Sequence, residues 1–126
     1  MTAQHQVVLF LHLLKETARQ RFIFVDRRVN LMTLARLGIT REEAQSLVMG
    51  LTPEHYVRGP DQDDNYPDLE VWVFGLHVTE TEVYVKVQVF ADPPERCVCI
   101  SFHESERPMR HPFRETESPE TEEEQR

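Results

Sequence analysis

The chain is predicted to form one small α+β domain, with N-terminal helices packed on one face of an antiparallel sheet. Its 126 residues suit a single domain, and 40 % hydrophobic with 29 % charged residues is a globular composition. The hydrophobic spacing is helical in the first half and alternates in the second, which separates the helical layer from the sheet. No apolar run reaches the roughly 18 residues that span a bilayer.

Val7, Leu11, Leu14 and Ala18 recur at helical spacing, so a helix is expected from about Ala3 to Gln20. The run Val7–Leu11 has the look of a secretion-signal core. It lacks a preceding Lys or Arg and a small-residue cleavage site, and reads as a buried helix face. Arg21–Asp26 reads as a short strand. Asn30 is placed to cap a brief helix, Leu31 to Leu37, that Gly38 ends. Thr40-Arg41-Glu42-Glu43 is a capping box, with Thr at the cap and Glu three residues on, opening a helix to about Leu51. Thr52-Pro53 starts a further helical turn. The stretch Gly59–Pro67 reads as a loop, being rich in Gly, Pro, Asp and Asn.

Beyond it, Trp72, Phe74 and Leu76 alternate with Val71, Val73 and Gly75. Val83, Val85, Val87 and Val89 alternate with Tyr84, Lys86, Gln88 and Phe90. Val98, Ile100 and Phe102 alternate with Cys97, Cys99, Ser101 and His103. These are three strands of a meander. A turn at Thr79-Glu80 sets Trp72 opposite Val87, Phe74 opposite Val85 and Leu76 opposite Val83. If Val98, Ile100 and Phe102 share that core face, Phe90 falls opposite Cys97, Gln88 opposite Cys99, Lys86 opposite Ser101 and Tyr84 opposite His103. The second face then gathers Tyr84, Lys86, Gln88, Ser101 and His103, with Gly75 leaving room beside Tyr84. A phenol, an ammonium and an imidazole converge there without a carboxylate.

Charge is uneven along the chain. Of the net −8, the segment Glu115–Arg126 holds six acids and one base, while the body holds 16 acids and 13 bases. The segment 115–126 has no aromatic or aliphatic residue to pack, so a disordered acidic tail is expected after a domain of residues 1–114. The nearly balanced body leaves any anionic partner to a local basic patch. Cys97 and Cys99 lie two apart in a strand, too far for an easy disulfide, which points to a reducing, cytoplasmic setting. Cys97, Cys99, His103 and His111 are metal-ligand types, but Cys-x-Cys without a second pair is a weak zinc signal; no metal or other cofactor is expected.

Val71-Trp72-Val73-Phe74-Gly75, Glu82–Val87 and Cys99–His103 are similar to the C-terminal core of MqsR-type toxins. Leu34–Thr40, Gly50-Leu51-Thr52 and His55-Tyr56 extend the resemblance, which spans about Phe22 to His103. It implies the compact RelE-like fold and a cytoplasmic ribonuclease of a type II toxin–antitoxin system. An mRNA substrate and a cognate antitoxin protein come with it, and no membrane. The family's active-site tyrosine falls on Tyr84, in Tyr84-Val85-Lys86. Its catalytic lysine after a Ser-Phe pair falls on His103. Its lysine after a Phe-Tyr pair falls on Val57, beside Arg58, and its glutamine after Trp falls on Val73.

Metal-independent cleavage of RNA needs a base for the ribose 2′-OH, an acid for the leaving 5′-oxygen and cations for the phosphorane. His103 is assigned the acid–base role, Tyr84 its partner or a phosphate ligand, and Lys86 and Arg58 the scissile phosphate. Arg107, Arg110, His111 and Arg114 would hold the RNA backbone, although Arg107–Arg114 reads equally well as a segment docked on the sheet. The other functional reading is a non-catalytic interaction module, or an inactive toxin relative that binds an antitoxin-like partner. The missing glutamine and lysine favour that reading.

Overall fold

The apolar stripe of the first segment becomes helix α1 (Gln4–Gln20), which buries Val7, Leu11, Leu14 and Ala18. The computed structural model describes residues 2–114, so the expected tail at 115–126 lies outside the described residues. Strand β1 (Phe22–Phe24), helix α2 (Arg28–Leu37) and helix α3 (Arg41–Met49) follow, then a short 3-10 turn at Pro53–His55. Gly38 ends α2 in the left-handed region, at φ 71°, where a side chain would be strained. The Thr40/Glu43 box forms as read, the Thr40 hydroxyl accepting from the Glu43 amide at 3.0 Å.

Strands β2 (Tyr56–Gln62), β3 (Glu70–Val78), β4 (Thr81–Phe90) and β5 (Arg96–Glu104) complete the elements of the described residues. The sheet has five strands in the order β1-β5-β4-β3-β2, antiparallel except for β1, which runs parallel to β5. Helix α1 lies against β4 and β5, and α2 against β5. Between helices and sheet lies the core, including Leu14, Val48, Leu51, Phe74, Val83, Val85, Val87 and Phe102.

The β3–β4 register is the expected one: Trp72 faces Val87, Phe74 faces Val85 and Leu76 faces Val83. Its turn uses Thr79 and Glu80 at φ 45° and 66°, the positive values a tight two-residue hairpin requires.

Three expectations are corrected. Gly59–Pro67 is not all loop, because β2 continues to Gln62. It is an edge strand, the position in a sheet where a proline such as Pro60 is tolerated. Asn30 is not a cap: α2 begins at Arg28, and Asn30 lies within its first turn on the buried face. Its amide donates to the carbonyls of Val25 and Ile100 at 2.9 and 3.0 Å, and its oxygen accepts from the Phe102 amide at 3.0 Å. The side chain satisfies strand groups that would otherwise be buried without partners.

The third correction concerns β5. Tyr84 does face His103 and Lys86 faces Ser101, but a bulge then shifts the ladder so that Val87 faces Cys99. Gln88 therefore lies opposite Val98, and Phe90 opposite Arg96. One extra residue on the bulged strand exchanges its faces beyond that point. Cys97 and Cys99 are fully buried in the core, whereas Val98 and Ile100 are only half-buried.

Candidate active site

The two bulged strands decide what reaches the polar face of the sheet. On β5, Ser101 and His103 pair with Lys86 and Tyr84 on one side of the bulge with Phe102 buried, while on its other side the bulge turns Cys97 and Cys99 into the core. On β2 the ladder shifts between Tyr56, opposite Phe74, and Arg58, opposite Val73. Tyr56 can thus stay in the core while Arg58 turns to the other face, which plain alternation would forbid.

The result is an open cleft of about 560 Å³ lined by Tyr84, Lys86, Ser101, His103, Val57 and Arg58, with Arg27 and residues 105–110 around it. The rings of Tyr84 and His103 are stacked, their centroids 5.2 Å apart and their planes 17° from parallel. Arg58 donates from Nη2 to the Tyr84 hydroxyl at 3.2 Å and from Nε to Asp61 at 2.9 Å. Burial works against its charge, but Tyr84 and Asp61 outweigh burial and raise the Arg58 pKa. Nδ1 of His103 lies 3.1 Å from the Glu104 carbonyl, which can only accept. That contact suits the tautomer with its proton on Nδ1 and leaves Nε2 with a free lone pair.

Of the residues expected at the site, Tyr84, Lys86, His103, Arg58, Arg107 and Arg110 line this cleft. His111 and Arg114 do not. The His111 side chain is only 5 % exposed and lies 3.9 Å from Glu82, so it is not presented to the open cleft. Burial lowers its pKa, reinforced by Arg114. The segment after β5 lies across the sheet. Met109 and His111 fill the space over Gly75, where an added Cβ would come within 2.6 Å of Met109 Cε. Phe113 packs on Tyr56 with centroids 5.3 Å apart. Gln88, expected on the open face, is buried and donates to Asp63 at 3.1 Å.

Arg27 is the residue the sequence did not disclose. It precedes α2 and reaches Ser101 Oγ with Nη1 at 2.9 Å, adding a cation to the cleft wall. Only the adjacent basic pair Arg27-Arg28 hints at it, and no pattern relates that pair to β5. The cysteines are remote from this chemistry. Burial pushes the Cys97 thiol up to about 12 and raises Cys99 as well. Among the described residues no group of three or more His, Cys, Asp and Glu is disposed to hold a metal ion. No described helix is long and apolar enough to cross a membrane.

The sheet of this α+β domain carries a stacked Tyr–His pair among cations. The chain belongs to the MqsR toxin family: the family model described as motility quorum-sensing regulator, toxin of MqsA, matches residues 8–104. Membership places it among the toxins of toxin–antitoxin systems. Neither the curated proteins nor the solved structures contain a match to the chain.

Proposed function

We propose that this toxin is a metal-independent endoribonuclease that cleaves single-stranded mRNA by attack of a ribose 2′-OH, and that a cognate antitoxin of the MqsA kind is its protein partner. The observation that carries the reading is the stacked Tyr84–His103 pair set among Lys86, Arg58 and Arg27 in one open cleft. His103 Nε2 takes the 2′-OH proton, and an imidazole is suited to do so near neutral pH. Because Arg58 donates to the phenol oxygen, the Tyr84 O–H is left to donate to a phosphate oxygen or to the leaving group. Lys86 and Arg58 supply positive charge for the phosphorane, and Arg107 and Arg110 hold the neighbouring backbone.

The test is incubation of wild type and His103→Ala with a long single-stranded RNA, in EDTA and without ribosomes. Cleavage by wild type alone is the expected result. Cleavage by both removes His103 from the acid–base role. Cleavage by neither removes free RNA as the substrate. A second reading, a binding-only relative, is favoured by Val73: it stands where the family resemblance places a glutamine, and it is fully buried. Growth arrest on expression, abolished by His103→Ala, speaks against that reading.

A further inference from the structure

We propose that the exposed shelf of α2 beside His103 is a nucleobase subsite, with Val29 and Met32 as the platform and Arg27 as the phosphate ligand joining it to the cleft. This rests on the ribonuclease reading above and adds where a base flanking the scissile phosphate sits.

A second cavity of about 320 Å³ borders the first and shares Arg27, His103 and Glu106 with it. It lies within the size range of small-ligand sites. Val29 and Met32, three apart on one face of α2, form its apolar side and are 44 % and 48 % exposed. Methionine is polarisable and adapts to the flat face of an aromatic ring. The polar groups around this platform suit a nucleotide. Arg27 stands between the two cavities, where a phosphate linking two nucleotides would lie. Glu104 is paired with Arg36 at 2.7 Å, which lessens its repulsion of a phosphate backbone. The Glu106 carboxylate is an acceptor at the boundary and favours a base with an exocyclic amino group. His103, whose other face is covered by Tyr84, forms the wall that both cavities share.

The experiment titrates wild type, Met32→Ala and Arg27→Ala with fluorescent 2′-fluoro RNA tetranucleotides, which lack the attacking hydroxyl, and measures cleavage of unmodified RNA in parallel. Met32 is half-exposed on a helix and alanine is a good helix former, so the fold is expected to survive. A methionine–aromatic contact contributes roughly 0.3–1.5 kcal/mol, so Met32→Ala is expected to weaken binding about 2- to 13-fold. An abasic residue at one position should weaken wild type similarly and add nothing to Met32→Ala. Arg27→Ala should weaken all sequences alike and flatten the salt dependence. Unchanged affinity of Met32→Ala, or no binding by wild type, overturns the subsite. Antitoxin capture lost in Met32→Ala with RNA affinity intact also overturns it, and assigns the shelf to protein contact. Binding of the tetranucleotide by the shelf without cleavage of any RNA leaves the subsite standing and rejects the ribonuclease.

Discussion

Tyr84 and His103 face each other across β4 and β5 with their rings 5.2 Å apart and 17° from parallel. Under the proposed mechanism, stacking and proton transfer are separable functions of this pair. His103→Ala is expected to lower the rate of RNA cleavage by roughly 10²- to 10⁴-fold, the usual contribution of a positioned acid or base. Tyr84→Phe keeps the stack and loses only the hydroxyl. If Tyr84→Phe cleaves like wild type and Tyr84→Ala does not, the phenol positions His103 and donates no proton. Single-turnover rates on one RNA make the comparison.

Asn30 holds α2 to β5 through both its amide and its oxygen. Asn30→Ala leaves strand groups buried without partners and is expected to destabilise the fold by on the order of 3 kcal/mol. Urea denaturation measures it. A loss below about 0.5 kcal/mol, the size of an ordinary surface substitution, would mean the site rehydrates freely.

Gly75 leaves the space that Met109 and His111 occupy. Gly75→Ala is expected to lift the segment 105–111 from the sheet while leaving the β3–β4 hairpin paired. Limited proteolysis should cut that segment faster in the variant, and RNA cleavage, which would lose the backbone hold of Arg107 and Arg110, should suffer through KM more than kcat. Equal proteolysis would show that Met109, a flexible side chain, simply moves aside.

Acidification should loosen the same segment. Burial, with Arg114, holds the His111 pKa below its ordinary 6.5, and burial lowers His55 too. The unfolded chain therefore takes up these protons before the folded one does. Stability is full above about pH 6.5 and falls as pH drops towards the lowered folded-state values. Denaturation midpoints between pH 7.5 and pH 5 should show the decline, and His111→Gln should shrink it. A midpoint that rises on acidification would reverse the sign and refute the account.

The β3–β4 hairpin was legible because large apolar residues occupy one parity and the turn is short. On β5 both parities are apolar, Cys97 and Cys99 on one and Val98 and Ile100 on the other, so alternation alone accepts either face for the core. The bulge chose the cysteines, yet Tyr84–His103 and Lys86–Ser101 lie on the turn-distal side of it and kept the expected pairing. Arg58 was seen as a candidate without a reason to face Tyr84, because a strand holding Gly59 and Pro60 carries no alternation. Its reason is the ladder shift on β2. Asn30 and Arg27 act on residues some seventy positions away, and no local pattern encodes such partners.

The burial of Cys97 and Cys99 makes β5 its own reporter. Alkylating reagents attack the thiolate, and these thiols are both inaccessible and hard to ionise while the sheet is closed. Labelling of the native protein therefore counts the moments when the strand bearing Ser101 and His103 comes open, with no introduced probe. Ligands that clamp the cleft should slow that labelling in proportion to how firmly they hold it shut.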